Sequence, residues 1–78
     1  MNHIHLVRHD AAKNKHRLFY KMFVAQGLLG EWSLIREWGR VGSPGTMRKD
    51  WFETEEEAIT ARQTLYDAKQ KKGYQTVL

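Results

Sequence analysis

The chain has 78 residues, with 13 Lys and Arg against 9 Asp and Glu, a formal net charge of +4 and no cysteine. That length makes one domain, residues 1–78, with a thin core that buries roughly 60% of the unfolded surface. The lack of cysteine excludes a disulfide framework and any thiolate metal site. No apolar run nears the roughly 20 residues of a membrane span, and the opening MNHIHLVRHD lacks the apolar stretch of a signal peptide. A soluble, cytoplasmic protein is expected.

In chain order, Ile4 to Arg8 reads as a short strand, followed by a polar loop over residues 9 to 16. Leu18 to Val24 (LFYKMFV) is rich in aromatic and apolar residues on both alternating faces, which suits a central strand. Gln26 to Glu31 carries two glycines and reads as a hairpin turn. Trp32 to Val41 is the next strand. Gly42-Ser43-Pro44-Gly45 is a turn by composition, and Thr46 to Phe52 returns as a further strand.

Thr54 then opens a helix. Its hydroxyl and Glu57 form the T-x-x-E pattern of a capping box. Glu55 to Glu57 complement the positive helix end, and Lys69, Lys71 and Lys72 the negative end. Ala58, Ile59, Ala61, Leu65, Tyr66 and Ala68 supply an apolar stripe. Gly73 is a stop, and residues 74 to 78 form an edge strand or trail. The pattern is α+β, a small antiparallel sheet with one long C-terminal helix packed on one face.

The segment WSLIREWGRVG, Trp32 to Gly42, carries the functional signal. Alternation puts Trp32, Leu34, Arg36, Trp38 and Arg40 on one face. An indole flanked by two guanidinium groups is awkward to bury and well suited to a sugar ring and a phosphate. One helix covers one sheet face, and an antiparallel sheet tolerates a solvated second face. Arg36, Trp38 and Arg40 are therefore expected on the uncovered side. Trp32 and Trp51 sit at strand ends among apolar neighbours and are expected to be buried.

Trp38-Gly39-Arg40 followed by Val41-Gly42 resembles the signature of the WGR domain, a small module of DNA-damage-dependent poly(ADP-ribose) polymerases that also occurs in bacterial proteins. The likeness takes in the aromatic strand upstream, the glycine turn, Trp51-Phe52 and the acidic-start helix, from about residue 5 to 76. It implies a nucleic-acid-binding module that recognises DNA ends, nicks or gaps through sugar-phosphate contacts, without base specificity. In the family the signature Trp packs on a sugar near a DNA terminus, and the signature Arg beside it helps relay the bound state to neighbouring domains. Carried over, these are Trp38 and Arg40. Gly39 and Gly42 become structural turn positions that permit close approach.

Arg suits phosphate because its planar fork meets two oxygens at once. Arg36, Arg48, Lys49, Lys15 and Arg17 are the further candidate contacts, each weighed against a solvated or cross-strand-paired role. DNA is expected over RNA, and the resemblance extends the expected location to the bacterial nucleoid. The alternative is a protein-interaction module that docks a partner enzyme or self-associates. His3 and His5 share a face, yet they lack a third ligand, so no metal is expected. No cofactor, small-molecule substrate or membrane partner is expected. No nucleophile, phosphate loop or paired acid supports an enzyme, and the polymerase activity of multidomain relatives is not carried over.

Overall fold

A computed structural model describes residues 3–10 and 16–77. Strands β1 (Ile4–Asp10), β2 (His16–Gln26), β3 (Trp32–Arg40) and β4 (Thr46–Phe52) precede helix α1 (Glu55–Lys71) and a short β5 (Gln75–Thr76). They form one antiparallel sheet in the order β4-β3-β2-β1-β5. The α+β architecture inferred from the sequence is present. β1 and β2 both extend further than the sequence suggests, so the polar stretch after Arg8 is partly strand.

Register explains which side the helix takes. The pairs Leu6 with Tyr20, Tyr20 with Trp38, Ile4 with Met22, Val24 with Leu34 and Trp32 with Phe52 align all even-numbered strand residues on one face. That face supplies Leu6, Tyr20, Met22, Val24 and Leu34, which are buried together with Ala58 of α1. Ile4, Trp32, Trp38, Phe52, Ala61, Leu65, Tyr66 and Tyr74 pack around them. The odd-numbered face carries His5, Arg17, Lys21 and Lys49 among Val7, Phe19, Phe23 and Ile35, and the helix leaves it uncovered. Covering the continuous apolar row removes more apolar area from water than covering the mixed one.

The helix begins as its sequence dictates. Thr54 is extended at φ −129° and accepts from the Glu57 amide at 3.1 Å, while the Thr54 amide donates to the Glu57 carboxylate at 3.2 Å. The buried stripe is narrower than the apolar residues suggest. It follows Ala58, Ala61, Leu65 and Tyr66, leaving Ile59 40% exposed and Ala68 exposed. The same spacing, extended one turn, puts Lys69 on the sheet side. Past the helix, Gly73 takes φ +96°, and the Val77 amide donates to the His5 carbonyl at 2.8 Å.

Candidate nucleic-acid interface

The signature turn is built on two glycines with different tasks. Gly42 has φ +89° with open space around it, so it supplies a left-handed turn. Gly39 supplies room: a Cβ there would lie 3.3 Å from the Gly45 Cα and 3.6 Å from the Phe19 ring. β3 thus passes close to the chain entering β4. The Val41 amide donates to the Arg17 carbonyl at 2.8 Å and the Ser43 amide to the Arg40 carbonyl at 3.0 Å, which pins the turn against β2.

Trp38 shares its face with Arg36 and Arg40, as alternation predicts, but that face is the helix side and not the uncovered side. The reason is the even-numbered register, which sends Trp38 the same way as Leu34 and Met22. The indole is half-buried and not sealed. It stacks on Tyr20 with centroids 5.7 Å apart and planes at 17°. Arg36 lies 5.6 Å from its centroid.

Arg36 is mostly engaged within the fold. It donates to the Tyr20 hydroxyl at 3.0 Å and to the Asp50 carboxylate at 3.1 Å. Arg48 donates to the other Asp50 oxygen at 3.1 Å. Arg36 and Arg48 face each other across β3 and β4, a like-charge pairing that is unfavourable alone. Asp50, on the same face, bridges both. Burial would lower the Arg36 pKa, but the hydrogen bond and charge of Tyr20 and then the Asp50 carboxylate outweigh it, so the net shift is upward. The Arg36 Nε is buried with no acceptor. That orphan donor is a local cost of lodging the guanidinium between Tyr20 and Asp50.

Five residues join this site that the sequence did not place there: Tyr20, Tyr74, Lys69, Lys72 and Arg8. Lys69 of the last helical turn lies 4.4 Å from the Tyr20 ring centroid and 5.6 Å from that of Tyr74. Tyr20 and Tyr74 meet edge to face at 6.3 Å. The Lys69 ammonium is held below its usual pKa by burial first, then by the charges of Lys72 and Arg36. The Tyr74 hydroxyl is pushed up by burial, an effect partly offset by Arg8 and reinforced by Tyr20. Trp38, Tyr20 and Tyr74 therefore form an aromatic row edged by Arg36, Lys69, Lys72, Arg8 and the exposed Arg40. Lys69 was legible only in the spacing from Ala58, Ala61 and Leu65.

The other candidates divide. Arg48 stays on this face with its side chain 63% exposed. Lys49 and Arg17 have odd-strand parity and lie on the opposite face, so they do not join Trp38. Lys15 lies outside the described residues. Of the two tryptophans expected in the core, Trp32 packs against it, but Trp51 is 54% exposed. Trp51 points to the uncovered face of an outer strand, where Lys49 sits 5.1 Å from its ring. His3 stacks on Phe23 at 4.7 Å. Among the described residues there is no group of three or more His, Asp or Glu that could hold a metal ion, and no helix is long and apolar enough to cross a membrane.

The chain matches the WGR domain family over residues 2–78. It belongs to the WGR domain family. It is also 35% identical over 71 residues to "Uncharacterized protein y4dW" of Sinorhizobium fredii (strain NBRC 101917 / NGR234), an overlap of 91% of this chain and 34% of that protein. This WGR chain thus spans about a third of the length of that relative. No solved structure matches it. The WGR domain is in general a nucleic-acid-binding module and not a catalytic one.

Proposed function

We propose that this WGR domain binds DNA at an end, nick or gap through the helix-side patch around Trp38. The observation that carries the proposal is the half-buried indole, stacked on Tyr20 and edged by Arg36 and, across Tyr20, by Lys69. An aromatic surface beside cations meets a terminal sugar or base with its ring and the adjoining phosphates with its charges. The setting of Lys69 is consistent with it: burial first, then the charges of Lys72 and Arg36, holds the ammonium below its usual pKa, and a phosphate would relieve the charge repulsion. Arg40 and Arg48 extend the cationic rim, and Arg36 orients the indole more than it reaches outward.

The binding is backbone-directed. The only long helix among the described residues opens with Glu55, Glu56 and Glu57, so its N-terminus repels phosphate and does not enter a groove. Affinity falls with salt by roughly 0.9 log units per decade for each duplex phosphate neutralised. In a titration of the 15N-labelled protein with a duplex carrying a free 5′ end, amide shifts are expected at Trp38, Arg40, Lys69 and Tyr74. Trp38→Ala is expected to cost about 1–3 kcal/mol of binding, the worth of one aromatic–base stack. A folded W38A protein that binds the duplex as well as the parent refutes this site.

A second reading is docking of a protein partner or second copy along β4. It is favoured by the outer position of that strand and by the exposure of Met47 and Trp51 on it. A concentration-dependent mass in solution, with no binding to DNA, would select it.

A further inference from the structure

The uncovered face carries two adjoining hollows, of about 330 Å³ and about 410 Å³, that share Val7, Arg17 and Val77. Register explains their chemistry. On this side of the β1–β2 ladder His5 faces Lys21, Val7 faces Phe19, and His9 faces Arg17. Two rows bearing a cation and an imidazole therefore bracket an apolar row. Lys21 and Arg17 are four residues apart along β2, roughly 13 Å at strand rise. Lys21 also lies 5.5 Å from the Phe19 ring centroid. Val41 and Val77 extend the apolar floor and are 51% and 45% exposed. Ser43 and Gln75 add hydrogen-bonding groups. Glu37, the register partner of Lys21, is the one carboxylate among the described residues that line the hollows.

We propose that this groove binds a single strand of nucleic acid, with Arg17 and Lys21 holding two non-adjacent phosphates and Val7, Val41 and Val77 packing on the sugars or bases between them, over the buried Phe19 ring. A cationic row at each end suits a chain of phosphates better than a single anion, which would use one row and leave the other idle. The groove also joins the Trp38 patch. Leu18 pairs with Arg40, and the Val41 amide is bonded to the Arg17 carbonyl. Arg40 on the helix side and Arg17 on the uncovered side thus flank the same turn. A strand that ends a duplex at Trp38 can pass over Val41 and Ser43 into the groove. In that form the inference rests on the DNA-end proposal, although the groove itself stands on its own residues.

The test uses the full chain, the double variant Arg17→Ala/Lys21→Ala and the separate variant W38A. Arg17 and Lys21 are both exposed, and an amide spectrum checks that each variant is folded. The probes are a blunt duplex, the same duplex with a single-stranded overhang, and the overhang strand alone. The parent is expected to bind the overhang duplex more tightly than the blunt one. The double variant is expected to lose that advantage and keep blunt-duplex affinity. Its salt slope on the overhang should fall by roughly 0.7 per lost single-strand phosphate, about 1.4 for two, or about 25-fold in affinity at 0.1 M salt relative to 1 M. Equal losses on blunt and overhang duplexes, or no loss on either, overturn the groove. A W38A protein that keeps blunt binding, beside a double variant that loses the overhang, overturns the Trp38 site and leaves the groove standing. A parent that binds none of the three probes overturns both.

Discussion

Asp50→Asn tests the helix-side patch because it moves stability and binding in opposite directions. Asp50 holds Arg36 and Arg48 with two contacts of 3.1 Å. The Arg36 side chain is 14% exposed and that of Asp50 32%, so this pair lies between surface bridges worth about 0–1 kcal/mol and buried ones whose breaking costs about 3–5 kcal/mol. A loss of about 1–2 kcal/mol is expected, because the amide keeps the shape and one acceptor. For a domain of this size each kcal/mol lowers Tm by roughly 4–8 °C.

The binding effect has the other sign. Both guanidinium groups lose their counter-charge, but only Arg48, 63% exposed, can reach a phosphate. One added phosphate contact makes the salt slope steeper by roughly 0.9, or about eightfold tighter binding at 0.1 M salt relative to 1 M. Fluorescence anisotropy of a labelled duplex over a salt series, with denaturant melts alongside, reads both quantities. A D50N protein that melts earlier and binds duplex no better, with an unchanged slope, refutes the placement of DNA on this face.

The Lys69 environment predicts a pH effect. Its pKa in the folded protein lies below the ordinary 10.5, so between those two values the unfolded chain binds a proton that the folded one does not. The penalty is therefore complete at neutral pH and lifts as pH rises toward 10.5. The stability of the parent relative to Lys69→Met should rise across that interval in paired urea melts, and a flat difference would contradict the burial of the Lys69 ammonium and its crowding by Lys72 and Arg36. Thr54→Ala removes the hydroxyl of the capping box and is expected to cost about 1 kcal/mol in the same melts. Gly45→Ala places a methyl group 2.9 Å from the Glu37 Cγ, the Phe19 ring and the Trp38 carbonyl oxygen. The Glu37 side chain can swing aside but the carbonyl cannot, so about 1–3 kcal/mol of destabilisation is expected, and a neutral result would show that the β3–β4 entry is looser than its contacts indicate.

Much of the molecule follows from local rules that a sequence displays. Strand alternation assigns Trp32, Leu34, Arg36, Trp38 and Arg40 to one side whatever they face. Thr54 and Glu57 set the helix start, because both halves of the capping box lie within one turn. Gly42 marks its turn, since the backbone there needs a positive φ. The family likeness, too, resides in contiguous residues.

Which side of the sheet the helix covers was not local. It depends on the summed apolar area of five strands in register, and Leu6, Tyr20, Met22 and Val24 outweigh the charges of β3 read alone. That sum turned Trp38 toward α1, sent Arg17 and Lys49 to the far side, and left Trp51 exposed on an outer strand. It also brought Lys69 over Tyr20 from 49 positions further along the chain. Strands, helix and shared faces follow from neighbours along the chain. Which cations stand beside the indole follows from the pairing between strands and from where one helix comes to rest.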